Sequence, residues 1–338
     1  MTGKRKSIFI RVALYMGIGV LALAVLVPVY TVCWTSPVRR ATTVVIEDGA
    51  SVSRVASRLQ KTNLINSTDV FKMAVRLYGG RIQRGMYDIP ARASALRIAR
   101  MMARGDVASV TIVIPEGLTV QQIKNQLLGS SVLTGPVDCT DVKNPVCDLR
   151  DGDLFPDTYR VARGTRRLAV LELMRKKMQR IQDNWVATGR RAPAGLKNWN
   201  DVVTLASIVQ KETPRASEMP VVASVYLNRL HKKMRLQADP TVVYAVTGGL
   251  GDMQGRALLR GHLKVDSPYN TYVHYGLPPA PIANVGRNAI AAVLNPADTN
   301  YLYFVADGNG GHRFADSYEI HQKNHADWRA IKKFKNKK

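Results

Sequence analysis

An apolar segment near the N-terminus constrains this chain most, because it decides in which compartment the rest folds. Residues 12–34 form an apolar run of about 23 residues, enough to cross a bilayer core of roughly 30 Å. No acidic residue occurs before Glu47, and the run is preceded by basic residues: Lys4, Arg5, Lys6 and Arg11. The pattern predicts a transmembrane signal anchor at 12–34, with a cytoplasmic tail at 1–11 and the remainder exported.

Two other interpretations of this segment fit the residues less well. A cleaved signal peptide has a shorter apolar region and a small-x-small cleavage site, which the stretch VPVYTVCW does not offer. A buried globular helix of this length, opening a chain behind a basic cluster, is uncommon. An uncleaved anchor therefore remains the prediction.

The net charge of +24 indicates an anionic partner: nucleic acid, anionic lipid or an acidic polymer. Export excludes nucleic acid as the expected partner and leaves the membrane surface and cell-wall polymers. In an exported chain, Cys139 and Cys147 could form a disulfide across the loop between them, or remain two separate thiols.

A strand–turn–helix pattern occurs twice after the anchor. VVIEDGASVSRVASRL (44–59) and TIVIPEGLTVQQIKNQL (111–127) align with Gly49 on Gly117 and with Ser51 on Thr119, each as a predicted helix cap. Between the two copies, helices are predicted at 67–78 and 93–103 and a short strand at 85–90. Units of this size are often binding modules, although two copies could equally serve as a scaffold.

A carboxylate closes the apolar stretch LASIVQKETP. Leu205, Ile208, Val209 and Glu212 share one face of a predicted helix capped by Asn200 or Asp201 and ended near Pro214. A carboxyl held among apolar groups tends to keep its proton near neutral pH and can act as a general acid. The alternative is a salt-bridged or peripheral glutamate at a helix end.

The remaining motifs suggest little other chemistry. His321 and His325 lie four residues apart on a predicted helix, which is weak support for a metal, and no metal or cofactor is predicted. The stretches 235–246 and 267–284 are rich in Tyr, Asn, Gln and Pro and are predicted to be loops suited to a sugar groove. YLYFVADGNGGHRF (301–314) predicts a hairpin that turns at 307–311.

Several motifs in order resemble the MltG, or YceG-like, family of membrane-anchored endolytic murein transglycosylases. They are FPDTY (155–159), LASIVQKET (205–213), SVYLNRL (224–230), RLQADPTVVYA (235–245), YNTY (269–272), GLPPAPIAN (276–284) and the predicted hairpin. The resemblance implies an α+β protein with a LysM-like region at 42–127 and a catalytic domain at 150–338. It also implies cleavage between N-acetylmuramic acid and N-acetylglucosamine that leaves a 1,6-anhydro end.

The resemblance assigns catalysis to Glu212. Predicted substrate-binding residues are Gln237, Asp239, Tyr269, Asn270 and Tyr272. The chain departs from the family's usual residues at Gln210, Val285 and Asp151, which affects the expected shape of the cleft more than the expected activity. The implied location is the cell inner membrane with the catalytic domain in the periplasm, in contact with peptidoglycan strands and with peptidoglycan synthases as candidate partners.

Two rival functions remain open at this point. The chain could be a non-catalytic wall-binding scaffold, or a hydrolase that pairs Glu212 with a second acid chosen among Glu218, Asp239 and Asp157.

Overall fold

Helices joined by short antiparallel strand pairs make up the computed structural model of this chain, which confirms the predicted α+β class. The structure describes residues 15–20, 22–24, 30, 37–138, 146–251, 253 and 255–335. They fall into two compact units. One comprises Met1–Val110 with Arg160–Gly164, and the other Thr111–Tyr159 with Thr165–Lys338. The second copy of the predicted repeat, at 111–127, therefore belongs to the second unit.

The first unit has the element order β-α-α-β-α. Its elements are β1 (Thr42–Ile46), α1 (Val52–Lys61), α2 (Thr68–Leu77), β2 (Gly85–Ile89) and α3 (Ala95–Arg104). The strands pair antiparallel, with Val44 opposite Tyr87 and Ile46 opposite Gly85. Alternate residues of each strand point to one face, so Ile46, Tyr87 and Ile89 enter the apolar core together with the buried sides of the helices.

Serine residues open all three helices of the first unit. The hydroxyls of Ser51, Ser67 and Ser94 accept hydrogen bonds from the backbone N–H groups three residues later, at 3.3 to 3.4 Å. Such caps satisfy donors that would otherwise lack a partner in the first helical turn. The helices predicted at 67–78 and 93–103 are thereby confirmed, with ends within about two residues of the prediction.

The second unit is mainly helical. Its helices are α4 (Val120–Leu128), α5 (Arg167–Ala187), α6 (Trp199–Glu212), α7 (Met219–His231), α8 (Asp239–Val246), a 3₁₀ turn at His262–Lys264, α9 (Arg287–Leu294) and α10 (Tyr318–Lys335). Strands β3 (Ser109–Val113) and β4 (Thr158–Ala162), which pair with each other, each have residues assigned to both units. Within the second unit, β5 (Tyr303–Ala306) and β6 (His312–Ala315) form the predicted hairpin. The hairpin and its turn therefore lie where the sequence predicted them.

The repeated strand–turn–helix pattern is present in both places. Gly49 and Gly117 adopt left-handed φ angles of 73° and 79° at the two turns, where a side chain would be strained. Ser51 and Thr119 then cap α1 and α4, and Thr119 completes a reciprocal capping box with Gln122. The two copies share their local geometry as predicted.

Helix α6 lies at the centre of the second unit. Its residues from Val202 to Val209 are all buried, and α7 and α9 pack against it. The single apolar face expected from the sequence is therefore only part of the helix's buried surface. A helix covered on almost all sides is held rigidly, and this fixes the position of the residue at its end.

Two local predictions for this unit were wrong. Asn198, rather than Asn200 or Asp201, caps α6 by accepting from the Asp201 N–H at 3.0 Å, while the Asp201 carboxylate accepts from the Lys197 N–H at 2.7 Å. The stretch 235–246, predicted as a loop because of its proline, contains helix α8, in which Pro240 sits in the first turn. Proline is tolerated there because that turn has no intrahelical donor to lose.

The predicted anchor and disulfide fall largely outside the described residues. Residues 15–20 and 22–24 are helical, and among the residues that can be described no helix is both long and apolar enough to cross a membrane. Cys147 is disulfide-bonded, whereas Cys33 and Cys139 lie outside the described ranges. The anchor at 12–34 and the identity of the bridge partner stay predictions.

Candidate active site

Glu212 is the last residue of α6. Thr213 is extended, with φ −139° and ψ 132°, and Pro214 follows. A residue before proline is sterically driven out of the helical region, so the helix must end here. Glu212 therefore projects from the end of a buried helix, as the sequence predicted.

The Glu212 carboxyl is largely removed from water and is bound by one tyrosine. Glu212 is half-buried, and the Tyr226 hydroxyl of α7 donates to its Oε1 at 2.6 Å. Burial raises the pKa of Glu212 from 4.5 to about 7, against the lowering effect of the Tyr226 hydrogen bond and with a further increase from the negative charge of Asp239. A carboxyl with this pKa can both give and take a proton near neutral pH.

A buried arginine is the positively charged residue whose field acts on the Glu212 carboxyl. The guanidinium of Arg229, also on α7, donates to the backbone carbonyls of Leu302 at 2.6 Å and Leu236 at 2.8 Å. Its charge lowers the pKa of Glu212, but less than the Tyr226 hydrogen bond does. Since carbonyls rather than carboxylates hold Arg229, its charge is not neutralised within the site.

The loop 267–274 is tied to the segment that enters α8. Thr271 is buried, accepts from the Ala238 N–H at 3.0 Å and accepts through its carbonyl from the Gln237 N–H at 3.1 Å. This places the Tyr272 hydroxyl 2.6 Å from a carboxylate oxygen of Asp239. The structure thus brings Asp239 and Tyr272 together; Asp239 acts electrostatically on Glu212, and Tyr272 on Tyr226.

The other predicted binding residues occupy different positions. The Gln237 side chain is exposed, on a backbone with φ +47°. Asn270 is fully buried, and its amide donates to the carbonyls of Leu263 and Val265 and accepts from the Tyr272 N–H at 3.0 Å. Asn270 therefore shapes the loop that carries Tyr272. Any contact between these side chains and a glycan stays a prediction.

Tyr269 belongs to a separate polar cluster. Its ring lies 4.8 Å from that of Tyr244, whose hydroxyl donates to Asp151 at 2.7 Å. These three residues line a cavity of about 310 Å³ that also includes Lys124 and Arg150. The lining therefore combines aromatic rings with charged groups of both signs.

Comparisons with known proteins agree with this architecture. The YceG-like family profile matches residues 44–327. The chain belongs to the YceG-like family. An endolytic murein transglycosylase of Bacillus subtilis is 32% identical over 307 residues, covering 82% of each chain. An enzyme of the same description from Streptococcus pneumoniae is 26% identical over 328 residues, and 58% of its length is covered.

A solved structure extends the comparison to the fold. A crystal structure of a YceG-like protein from Listeria monocytogenes matches with a TM-score of 0.50 and 29% sequence identity. The match covers 84% of this chain and 98% of that one. The family resemblance drawn from the ordered motifs is therefore confirmed.

The positions where this YceG-like chain departs from the expected motif have structural roles. Gln210 accepts from the Gly286 N–H at 3.1 Å, at the start of α9. Next to the unusual Val285, the buried Asn284 amide accepts from the N–H groups of Gly152 and Leu154 and donates to Leu118. Asp151 accepts from the Val120 N–H at 2.6 Å. Each departure is accommodated by hydrogen bonds without any contact to Glu212 among the described interactions.

Each of the three candidate second acids has a hydrogen-bond or ion-pair partner. Glu218 accepts from His312, Arg215 and Thr213. Burial acts to raise the pKa of Glu218, but the hydrogen bonds from His312 and the field of Arg215 together lower it. Asp157 forms an ion pair with Lys177. Asp239, which accepts from Tyr272, is the candidate whose charge raises the pKa of Glu212. Across the part of the chain that can be described, no group of three or more His, Cys, Asp or Glu is placed to hold a metal ion.

The sequence motifs contained three important residues to which no role was assigned. Tyr226 and Arg229 belong to SVYLNRL and lie three residues apart, which puts them on one face of α7. That spacing, together with the burial expected of an apolar helix, could have identified them. Thr271 lies inside YNTY, but its bonds to residues 237–241 join distant parts of the sequence and could not be read from it.

Proposed function

We propose that this protein is an endolytic murein transglycosylase in which Glu212 serves first as general acid and then as general base. The observation that carries the proposal is the half-buried Glu212 carboxyl, with its pKa raised to about 7 and a single tyrosine as hydrogen-bond donor. Family membership and relatives described as endolytic murein transglycosylases support the choice of substrate.

The proposed reaction needs one carboxyl group. Protonated Glu212 gives its proton to the glycosidic oxygen, the bond from that oxygen to C1 of N-acetylmuramic acid breaks, and N-acetylglucosamine leaves with a 4-hydroxyl. The Glu212 carboxylate then removes the proton from the C6 hydroxyl of the muramic ring, and O6 bonds to C1. The product is a 1,6-anhydro end, and no water is consumed. An internal nucleophile has the rate advantage of an intramolecular reaction.

The surrounding charges suit this sequence of steps. Positive charge develops at the muramic C1 as the glycosidic bond breaks, and Asp239 is the carboxylate whose field already acts on the Glu212 site. Tyr226 stabilises the Glu212 carboxylate that exists between the two proton transfers. Asp239 is also the residue that would activate water if the enzyme were a hydrolase instead.

The membrane-bound setting is a further part of the proposal. The N-terminal run 12–34 is predicted to anchor the enzyme in the inner membrane, with the first unit as a LysM-like module and residues 150–338 as the catalytic domain in the periplasm. A net charge of +24 favours both the anionic membrane surface and the carboxylates of peptidoglycan stem peptides. In this setting the enzyme would cut nascent strands beside the synthases and end their elongation.

The test is a digest of purified peptidoglycan by the full chain, with mass spectrometry of the products. We expect anhydromuramic ends from the wild type and none from Glu212→Gln. Glu319→Gln, which alters an exposed glutamate at the start of α10, is the matched control and should behave as the wild type. Reducing ends would identify the hydrolase instead. Binding without any cleavage by the wild type would favour the non-catalytic scaffold.

A further inference from the structure

The β5–β6 hairpin is attached to α7 near both of its ends. At the base of the hairpin, the Arg229 guanidinium donates to the Leu302 carbonyl at 2.6 Å. Near the tip, Nδ1 of His312 lies 2.8 Å from a carboxylate oxygen of Glu218, the residue that precedes α7. The hairpin therefore cannot shift without breaking contacts to the helix that carries Tyr226.

The attachment near the tip is a connected set of polar contacts. Glu218 also accepts from the His312 N–H at 3.3 Å and from Arg215 and Thr213 at 3.4 Å each. Arg215 donates in addition to the carbonyl of Asn309 in the hairpin turn at 2.6 Å. We name Arg215, Glu218 and His312 the hairpin clamp. The Glu218 and His312 side chains are only 16% and 15% exposed, so this contact is shielded from water far more than one at the surface.

A phenylalanine connects the hairpin clamp to the catalytic acid. Phe304 of β5 contacts the His312 ring edge-on, with centroids 5.2 Å apart. On its other side it meets the Tyr226 ring at 5.9 Å and an interplanar angle of 89°. The Tyr226 hydroxyl in turn donates to Glu212. A continuous path of contacts thus runs from Glu218 through His312, Phe304 and Tyr226 to Glu212.

We propose that the hairpin clamp positions the catalytic acid: the Glu218–His312 pair holds Phe304 against Tyr226 and so keeps the Tyr226 hydroxyl on Glu212. Glu218 and His312 are positioning residues in this scheme and do not contact the glycan. The inference rests on the proposed function, because it gives the clamp a role in the proposed reaction. The effect of the clamp on the hydrogen bond between Tyr226 and Glu212 can nevertheless be measured without turnover.

Gly311 provides an independent way to open the hairpin clamp. A Cβ at this position would lie 2.4 Å from atoms of both Arg215 and Glu218, too close for either to stay in place. The φ angle of Gly311 lies outside the left-handed region, so alanine can adopt the same backbone without strain. Gly311→Ala should therefore disturb the clamp while leaving its three polar residues unchanged in sequence.

The experiment compares His312→Leu, His312→Asn and Gly311→Ala in the full chain. Leucine removes the side-chain hydrogen bond to Glu218 and leaves the one from the backbone N–H of residue 312. The asparagine amide nitrogen takes about the place of Nδ1 and can restore the side-chain bond. Arg313→Ala, which removes a more exposed ion pair with Asp327 from the next residue of the hairpin, is the matched control. For each protein we would measure kcat, KM and the pH profile of kcat/KM, and titrate Glu212 by carbon-13 NMR of its carboxyl.

We expect His312→Leu and Gly311→Ala to lower kcat about tenfold with KM changed less than about twofold. The Glu212 titration and the alkaline limb of the pH profile should both move to higher pH, because a weakened Tyr226 bond no longer favours the carboxylate. His312→Asn should restore most of kcat and Arg313→Ala should leave it unchanged. An unchanged Glu212 titration in folded His312→Leu and Gly311→Ala would overturn the inference.

The two proposals fail in different ways. If the wild type does not cleave peptidoglycan, the proposed function fails, and the NMR titration of Glu212 still decides whether the clamp acts on Tyr226 and Glu212. If His312→Leu does not fold, Gly311→Ala and Glu218→Gln provide the same comparison. A similar loss of rate in all clamp variants, with the pKa of Glu212 unchanged, would mean that the clamp only stabilises the fold.

Discussion

The two compact units differ in what they bury. Among the described residues, every buried polar or charged side chain belongs to the second unit: Thr119, Thr204, Ser207, Thr213, Ser224, Arg229, Thr241, Asn270, Thr271 and Asn284. The first unit buries apolar side chains around Phe71, Tyr87 and Ile98 and keeps its ion pairs exposed.

Burying a polar group reduces stability unless the group finds a partner, so each such group in the second unit requires an explanation. Several of them join segments that are distant in sequence: Asn284 bonds Gly152 and Leu154, and Thr271 bonds Ala238. The first unit thus has a mainly apolar core, whereas the second contains buried polar groups and also the Glu212 carboxyl, whose pKa burial raises. Perturbed groups of this kind concentrate at functional sites.

The largest effect on stability is expected from a cavity in the apolar core of the first unit. Phe71→Ala removes a fully buried ring and should lower the local unfolding free energy by about 3 to 5 kcal/mol. Hydrogen exchange of peptides from residues 37–110 measures the loss. Met73→Ala, at an exposed position of the same helix, is the control and should change the value by less than about 0.5 kcal/mol. Equal losses in both variants would mean that the apolar core is not what stabilises this unit.

In the second unit, Glu212 is expected to make the stability of the protein depend on pH. The pKa of Glu212 is about 7 in the folded protein and 4.5 in the unfolded chain, so the folded state holds the proton more tightly. The favourable contribution is therefore complete below pH 4.5 and is lost as the pH rises towards 7 and above. Glu212→Gln should remove this dependence and be relatively more stable than the wild type at pH 8 than at pH 5. Denaturant titrations at both pH values test this, and parallel pH dependences would contradict it.

A smaller effect is expected when only the hydroxyl that contacts Glu212 is removed. Tyr226→Phe deletes the hydrogen bond that lowers the pKa of Glu212, so that pKa should rise and the alkaline limb of kcat/KM should move to higher pH. The rate at neutral pH should fall about tenfold, because the carboxylate formed after proton donation is less stabilised. Tyr318→Phe, at an exposed tyrosine of α10, should change neither value. An unmoved limb would show that Tyr226 does not control the acid.

The smallest effect concerns a helix cap of the first unit. Ser94→Ala removes the hydroxyl that accepts from the Arg97 N–H and should reduce stability by about 1 kcal/mol. Ser94→Asp keeps an acceptor and should remain close to the wild type. Hydrogen exchange of the α3 peptide distinguishes the two variants. A loss as large as that of Phe71→Ala would show that the unit depends on its caps as much as on its core.

Local patterns were enough to predict much of the fold. The repeat, the hairpin and most helix positions follow from caps, glycine turns and apolar spacing, all of which act over a few residues. The errors arose where neighbouring signals competed. Three polar residues, Asn198, Asn200 and Asp201, lie around the start of α6, and Asn198 is the cap because Asp201, three positions later, completes the hydrogen bonding. At Pro240 the sequence suggested a break, although proline in a first turn is compatible with a helix.

The site was only partly predictable for a different reason. Glu212 could be identified because its unusual feature, a carboxyl closing an apolar stretch, is local. Tyr226 approaches it from another helix, and the bonds of Thr271 to Ala238 and Thr241 depend on tertiary packing. Asn270 has the residue type expected of a sugar ligand, yet its amide is engaged by the backbone. Residue type alone does not reveal which hydrogen-bonding groups remain free.

The position of Glu212 at the end of α6 also has an electrostatic meaning. The last turn of a helix leaves carbonyl groups without intrahelical donors, and the aligned peptide dipoles place about half a negative charge there. A carboxyl at this end experiences a field that opposes ionisation and favours the retained proton. Pro214, by stopping the helix directly after Glu212, fixes where that negative end falls. The proline thereby helps to set the proton affinity of an acid two residues away from it.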